Sequence, residues 1–399
     1  MRLFPLVLIL AHAASALTLR EALEQGLSAH ALLEAASART ESAEGLRQQA
    51  SLKPNPRLFL QSENSRIWSQ PPFVYARDAD SFLYASQVIE TGGKRAFRTA
   101  VASAVVQRTV AERSALRWQL ARCIATAYWA AAGAARVRDS LAESLRNFEL
   151  TVQYHRDRVN EGAMAEVDLL RVQLESERLR ASYRVAEQEA VTARLRLFRE
   201  MGASDQPAAR FADPLDLIPV VDRPASLLPE RPDLEVYQES IRQANANLRL
   251  QLANAKPDPE LLAGYKRTNG YDTIITGVQI NLPFRNRNEG NISSAQADRR
   301  IADAAQRAAQ RTAQTEVEAA FATYEARRSL VTTTLPALRD RSREIARISG
   351  AAYREGGADL LRLLDAERAR IDADLLYFRA LTDFQLAVVE LQSALGLLQ

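Results

Sequence analysis

Lys53-Pro54-Asn55-Pro56 and Lys256-Pro257-Asp258-Pro259 are two copies of one short motif, and their surroundings match as well. Each ends a long Ala- and Arg-rich stretch of helical pattern, because the residue before a proline is pushed out of the α region. Each is followed by two short β-like runs and then by a much longer helical stretch. Farther on, Glu161-Gly162 and Gly202 pair with Glu355-Gly356 and Gly396 at one ungapped spacing. In the same register Val167, Leu169 and Leu170 fall opposite Leu361, Leu363 and Leu364. The chain is a tandem duplication of helix, β-hairpin, long helix, helix.

The first copy occupies residues 17–202. Thr18 is placed to cap a helix from Leu19, with Glu21 at the capping-box position, and helical pattern continues through Ala50. Strands are expected at about 57–64 and 81–90, around a loop that holds Trp68, Phe73 and Tyr75. Past Gly92-Gly93 a helix runs to about Asn160. Glu161-Gly162 breaks it, and a second helix from about Ala165 to Met201 is closed by Gly202. Residues 203–233 carry Pro207, Pro214, Pro219, Pro224, Pro229 and Pro232 and read as a linker with at most short local structure. The second copy, 234–399, repeats the plan: a helix to Ala255, strands at about 260–267 and 273–282 across a tight turn at Asn269-Gly270, and a long helix from Gly290 to about Tyr353. Glu355-Gly356-Gly357 ends it, and a last helix runs from Ala358 to Leu395.

At 1.5 Å per residue the long helices span about 100 Å each, and the shorter ones of a copy about 60 and 35 Å. Two short helices end to end match one long helix, as the wall of a uniform cylinder requires. Helices of this length cannot bury a full face within one chain, so oligomerisation is expected.

Composition excludes several function classes. The net charge is only +3, so there is no basic nucleic-acid footprint. A single cysteine, Cys123, rules out an intramolecular disulfide or a multi-cysteine metal site and reads as a small packing residue. His30 and His155 read as solvated or packed histidines, and no HExxH, CxxC or P-loop pattern occurs. No cofactor, no metal site and no enzyme activity are expected. At the N-terminus Arg2, the apolar run Leu3–Leu10 and Ala14-Ser15-Ala16 read as a signal peptide over residues 1–16. The apolar run is too short to span a bilayer, which takes about 20 residues.

The β-like runs point to lipid. In the last, Ile274, Thr276, Val278, Ile280 and Leu282 share one face, with Ile275 the exception on the other. The second run puts Phe82, Tyr84 and Val88 on one face, and the first and third alternate less well. Runs of about 10 residues suit a tilted transmembrane β-strand. Four strands cannot close a barrel, and lipid does not tolerate open edges. Two chains would give eight strands with a filled interior; three give twelve and room for a pore. A homotrimer is the expectation.

Val88-Ile89-Glu90-Thr91-Gly92-Gly93-Lys94-Arg95 and the segment from Leu282-Pro283-Phe284 through Arg287-Asn288-Glu289-Gly290 to Asn291-Ile292 resemble the two strand-to-helix junctions of the outer-membrane efflux protein (TolC) family. They resemble most of all its heavy-metal (CzcC-like) branch, and the likeness covers essentially the whole mature chain. It implies a mainly α fold with a transmembrane β-barrel contribution: a trimeric 12-stranded barrel in the cell outer membrane, continuous with a periplasmic α-helical tunnel. It also implies an exit duct for heavy-metal cations, with a periplasmic adaptor and an inner-membrane efflux pump as partners. A duct for drug efflux or type I protein secretion is the alternative within transport. A periplasmic coiled-coil scaffold or adaptor is the alternative of another class, and the alternation over residues 273–282 speaks against it.

The resemblance further implies a periplasmic gate around Gly356. Tyr353 and Asp365 match family gate positions, whereas the family's arginine falls on Ala358 and an acidic-ring position on Arg362, so Asp359 or Arg362 is expected to take over part of the network. Three copies of Asp365 around a narrow lumen would favour cations. The turns at Arg158, Glu161 and Gly162 and at Glu355, Gly356 and Gly357 are the expected adaptor-docking tips.

Overall fold

A computed structural model describes residues 16–65, 68, 72–203, 209–222 and 230–398; the expected signal peptide falls almost wholly outside them. The elements in order are β1 (Ala16–Leu17), α1 (Leu19–Ser28), α2 (Ala31–Ser51), β2 (Arg57–Glu63), α3 (Tyr75–Asp78), β3 (Asp80–Val88), α4 (Lys94–Asn160) and α5 (Glu166–Glu200). There follow β4 (Arg210–Phe211), α6 (Pro232–Asn254), β5 (Pro259–Thr268), β6 (Tyr271–Ile280), α7 (Glu289–Ser329), α8 (Leu335–Arg354) and α9 (Leu360–Ala394). The repeat is exact enough to count: α5 and α9 are both 35 residues long. Gly162 and Gly356, and likewise Gly202 and Gly396, take the same positive φ, between 67° and 76°.

Two expectations need correction. The helix expected from Leu19 to Ala50 is two helices. His30 ends the continuity: its Nδ1 accepts from the Leu32 amide at 3.2 Å and its carbonyl from the Leu33 and Glu34 amides, so it starts α2 afresh. The second long helix is interrupted by a π turn at Leu330–Thr334. Pro336 explains it: proline has no amide proton, and its ring displaces the carbonyl four residues back, at Thr332. The wider turn absorbs that displacement.

The chain divides into two compact units, one of residues 35–114 and 232–310, the other of the residues up to Glu34 with 115–231 and 311 onward. The first holds the four-stranded sheet, in the order β2-β3-β5-β6, every pair antiparallel. Its helices pack on small side chains such as Ala43, Val106, Ala253 and Ala295. The second has a core along α4, α5, the end of α7, α8 and α9, with Tyr128, Ile124, Leu197, Tyr324 and Phe384 fully buried.

The described part of the expected linker is tied to this second unit. β4 pairs in parallel with β1. The Tyr128 hydroxyl donates to the Asp213 carboxylate at 2.7 Å, and the Leu19 amide donates to the same Asp213 oxygen. Burial, reinforced by that carboxylate, pushes the Tyr128 hydroxyl above its usual range. Tyr324 donates to the Pro219 carbonyl, and Gln385 donates to the Leu215 and Leu217 carbonyls. The strap has little regular structure because side chains, not a ladder, satisfy its backbone.

Candidate functional site

Three features of the chain bear on function: the faces of the sheet, the junctions where strands become helices, and the ends of the helical hairpins.

Register assigns the faces. Leu58 and Leu60 stand opposite Ala85 and Leu83, Leu83 opposite Tyr265, and Leu261 and Tyr265 opposite Val278 and Ile274. One face therefore carries Leu58, Leu60, Leu83, Leu261, Tyr265, Ile274, Val278 and Ile280, and all eight are exposed. The other carries Arg57, Gln61, Ser86, Glu260, Lys266 and Gln279. An apolar face opposite a polar one is the surface of strands with lipid on one side and water on the other. β2 and β5, whose alternation is weaker, both contribute to the apolar row. Phe82, Tyr84 and Val88 lie on the polar face instead, where Phe59 stacks on Tyr84 at 4.9 Å. Ile275 also sits on the polar face, opposite Gly264.

The junction after β3 grips the second copy of the proline motif. The Lys94 ammonium donates to the Asp258 carboxylate at 2.7 Å and to the Lys256 carbonyl at 2.6 Å. The Thr91 amide donates to the same carboxylate at 2.7 Å, and its hydroxyl to the Pro257 carbonyl. Burial alone would raise the Asp258 carboxyl, but the bonds from Lys94 and Thr91 outweigh it and hold the group below the usual carboxylate range. Gly92, with φ of 64°, leaves room for the Lys256 side chain, which a Cβ there would strike. Arg98 completes the latch by donating to the Ala50 and Leu52 carbonyls at the end of α2 and to Glu90. In the second junction Asn288 adopts φ of 64° and donates to the Gln251 carbonyl at 2.7 Å.

The expected gate residues lie near the ends of the α4–α5 and α8–α9 hairpins, and they do not form one cluster. The Tyr353 ring, half-buried on α8, stacks on His155 of α4 with centroids 5.7 Å apart, and its hydroxyl sits 2.8 Å from His155 Nε2. Burial raises the Tyr353 hydroxyl above its usual range. Asp359 is the N-cap of α9, accepting from the Arg362 amide at 2.9 Å. Asp365 is exposed and pairs with Arg368 at 3.5 Å; it shares a shallow groove with Arg362, Ile345 and Ile348. Arg368 in turn donates to Glu175 of α5, which holds that carboxyl below its usual range.

The hairpin turns are closed in themselves. The Ala163 amide donates to the Arg158 carbonyl and the Gly357 amide to the Ala352 carbonyl, at 2.9 and 2.8 Å, with Gly162 and Gly356 in the left-handed region. Glu161 pairs with Arg158 at 3.8 Å. The turn amides of Ala163 and Gly357 are thus bonded within the hairpins, whereas α5 begins at Ala165 with no side-chain cap. Two buried residues stand here, the packed histidine His155 and Asp374, which the sequence reading did not single out. His155 is fully buried, and Asp374 on α9 is buried between Arg339 at 2.7 Å and Arg343 at 2.9 Å. The arginines at Arg339 and Arg343 on the facing helix were the available signal, but Asp374 follows Glu367, Arg368, Arg370 and Asp372 and does not stand out from them.

Comparison with known proteins assigns the chain. The sequence pattern of the outer membrane efflux proteins matches residues 22–203 and 224–397, and the chain belongs to that family. It is a transport protein of the outer membrane, with a tunnel extending into the periplasm, and not an enzyme. Outer membrane protein OprJ of Pseudomonas aeruginosa is 27% identical over 184 residues, a match that spans 43% of this chain and 38% of OprJ. A membrane protein of Pseudomonas aeruginosa of known structure superposes with a TM-score of 0.78 at 22% identity, covering 95% of this chain and 90% of that one. The open state of the MtrE outer membrane channel of Neisseria gonorrhoeae does so with 0.77 at 22%, covering 95% and 89%. At these identities the superpositions speak for the fold.

Proposed function

We propose that three copies of this chain form the outer-membrane exit duct of a tripartite efflux system, joined through a periplasmic adaptor to an inner-membrane pump that supplies the energy. The supporting observation is the sheet: an exposed apolar face, a polar face, and two edge strands, β2 and β6, each paired on one side only. Lipid requires those edges to be closed, and closing β6 of one copy on β2 of the next gives a ring of twelve strands.

The internal repeat supports one way for the copies to meet. Within the chain, the junction after β3 grips Asp258 ahead of β5. The equivalent junction after β6 and the equivalent motif ahead of β2 both stay exposed, with Asn55 in the place of Asp258. Applying the same pairing between copies sets Asn55 of one beside Arg287-Asn288 of the next. Cysteines at Asn55 and Arg287, in a Cys123→Ser background, should cross-link adjacent copies into a covalent trimer in outer-membrane preparations. Membrane-inserted protein that stays monomeric under oxidation would overturn the assembly.

For cargo we assign heavy-metal cations, on the likeness of the two junction segments to the heavy-metal branch. Cells lacking the chain should become sensitive to divalent heavy metals while keeping their drug tolerance. Drug sensitivity with unchanged metal tolerance would reassign the cargo. The hairpin tips, at Arg158, Glu161 and Gly162 and at Glu355, Gly356 and Gly357, are the proposed adaptor contacts, made through side chains. Tyr353, Asp359, Arg362 and Asp365 remain the proposed gate region.

A further inference from the structure

The segment between β6 and α7 divides its side chains between two surroundings. Asn281, Asn286 and Asn288 line a hollow of about 590 Å³ on the polar side of the sheet, beside Arg57, Glu260 and Gln279. The Asn286 side chain accepts from the Asn288 amide at 3.0 Å, and Asn288 donates to the Gln251 carbonyl. Phe284, Arg285 and Arg287 take no part in that hollow. Phe284 is 77% exposed and follows Ile280 and Leu282, both exposed, at the end of the apolar row. Arg285 and Arg287 are exposed too, and among the described residues neither guanidinium has a hydrogen-bonding or ionic partner. Glu289, the nearest carboxylate along the chain, starts α7, where the helix N-terminus offsets its charge.

The first repeat has no such arrangement. At the spacing that pairs Gly162 with Gly356, Phe284-Arg285-Asn286-Arg287 fall on Glu90-Thr91-Gly92-Gly93. There Glu90 accepts from Arg98 and the Thr91 amide donates to Asp258, so that junction is taken up by the latch. An exposed ring at the foot of an apolar strand face, with two unpaired guanidiniums beside it, matches both halves of a phospholipid. Rings of this kind enter the boundary between acyl chains and headgroups. The planar guanidinium fork fits phosphate oxygens bidentately, and cations next to a bilayer are drawn to anionic headgroups.

We propose that this segment is a docking site for an anionic phospholipid of the leaflet next to the helices, with Phe284 in the acyl layer and Arg285 and Arg287 on the phosphate. The site rests on the proposed function, which sets the sheet in lipid. The leaflet follows from topology: α4 and α7 leave the sheet at this end, and the Asn269-Gly270 turn lies at the other. The pairing proposed between copies also brings the exposed Lys53 of the next copy to this junction, so the lipid lies at the seam and bridges two copies.

The test uses the full-length protein in phosphatidylcholine nanodiscs doped with phosphatidylglycerol. Native mass spectrometry after release into detergent reads the lipid retained. The parent should retain phosphatidylglycerol over phosphatidylcholine, and Arg285→Gln and Arg287→Gln should each lower that preference about fivefold. A parallel sample doped with lipid A separates the two sources of phosphate, and retention of lipid A above phosphatidylglycerol would overturn the phospholipid assignment. A nitroxide at Phe284→Cys, in a Cys123→Ser background, should be relaxed by oxygen rather than by a water-soluble nickel chelate. The same label at Ile274→Cys reports whether the sheet itself lies in lipid. A lipid-exposed label at 274 with a water-exposed label at 284 overturns the docking site and leaves the proposed function standing. So does a double variant, Arg285→Gln with Arg287→Gln, that keeps the parent's preference. A water-exposed label at 274 overturns both.

Discussion

Replacing Asp258 tests whether the junction latch holds the sheet to its helices. Asp258→Ala leaves the Lys94 ammonium with only the Lys256 carbonyl and the Thr91 amide with no acceptor. Charge-assisted hydrogen bonds contribute about 1.5–3 kcal/mol each. Lys94 and Asp258 side chains are 11% and 24% exposed, so water recovers a part of that. We expect a loss of about 2–4 kcal/mol. Asp258→Asn keeps an oxygen for the Thr91 amide but removes the charge facing Lys94, and should cost about 1–2 kcal/mol. Lys94→Met should cost a similar amount. The double variant separates the pair from its surroundings: two groups acting mainly on each other should couple by about 1 kcal/mol or more. Equilibrium urea unfolding of the protein folded into lipid vesicles, followed by tryptophan fluorescence, supplies the cycle. Additivity within about 0.3 kcal/mol would refute a direct Lys94–Asp258 latch.

Further outcomes follow from other contacts. Gly133 lies where an added Cβ would come within 2.0 Å of the Thr382 hydroxyl on α9; Gly133→Val should lower stability by about 1–3 kcal/mol in the same unfolding assay. The Glu175 carboxyl is held below its usual range by Arg368, so its contribution is present above the ordinary glutamate range and is lost as pH falls through the depressed value. Arg368→Met should therefore destabilise the protein at about pH 7, with an effect that shrinks as pH falls through the depressed Glu175 value. Asp365→Asn should reduce cation selectivity in bilayer recordings, and unchanged selectivity would remove Asp365 from the lumen.

The repeat was legible because both copies keep their punctuation. Paired prolines, Glu-Gly breaks and closing glycines carry conformational meaning in the local sequence, and they placed α4, α5 and α9 within a residue or two of their observed ends. Face assignment in β2 was not legible, because Leu58-Phe59-Leu60 is apolar on both sides and only the pairing with β3 sorts it. The break at His30 depends on a side chain capping its own chain, with no proline or glycine to announce it. Pro336 was visible, but whether a proline kinks a helix or widens one turn is decided by how the flanking residues are held. Here Val331 within the turn and Leu335 just after it are buried. The strap ending at Val221 is held by Tyr128, Tyr324 and Gln385, whose partners lie far away in sequence. The site was legible as a place and not as a bond: Tyr353 was expected near the tip, but its partner His155 emerges only from packing.

Where the two copies differ is more informative than where they agree. Equal helix lengths and matched turns serve a wall that has to close on itself, and a difference between copies there would only disturb the stacking. Several of the differences lie on the two helical hairpins. His155 stands in the first copy where Ser349 stands in the second. α5 begins at Ala165 without a side-chain cap, whereas α9 begins on the Asp359 carboxylate. α4 is uninterrupted, whereas its counterpart carries the π turn about twenty residues before Tyr353. A π turn spaces its carbonyls more widely than an α turn and is a place where a helix can bend. The second hairpin thus has a hinge behind it and a capped, well-defined start, and at its end it holds the tyrosine that bonds to the first. These features assign movement to α8–α9 and anchorage to α4–α5, so stiffening the π turn by Pro336→Ala should slow separation of the hairpin ends, read from the distance between spin labels at Asp157→Cys and Glu355→Cys. Unchanged kinetics of separation would refute that division of roles.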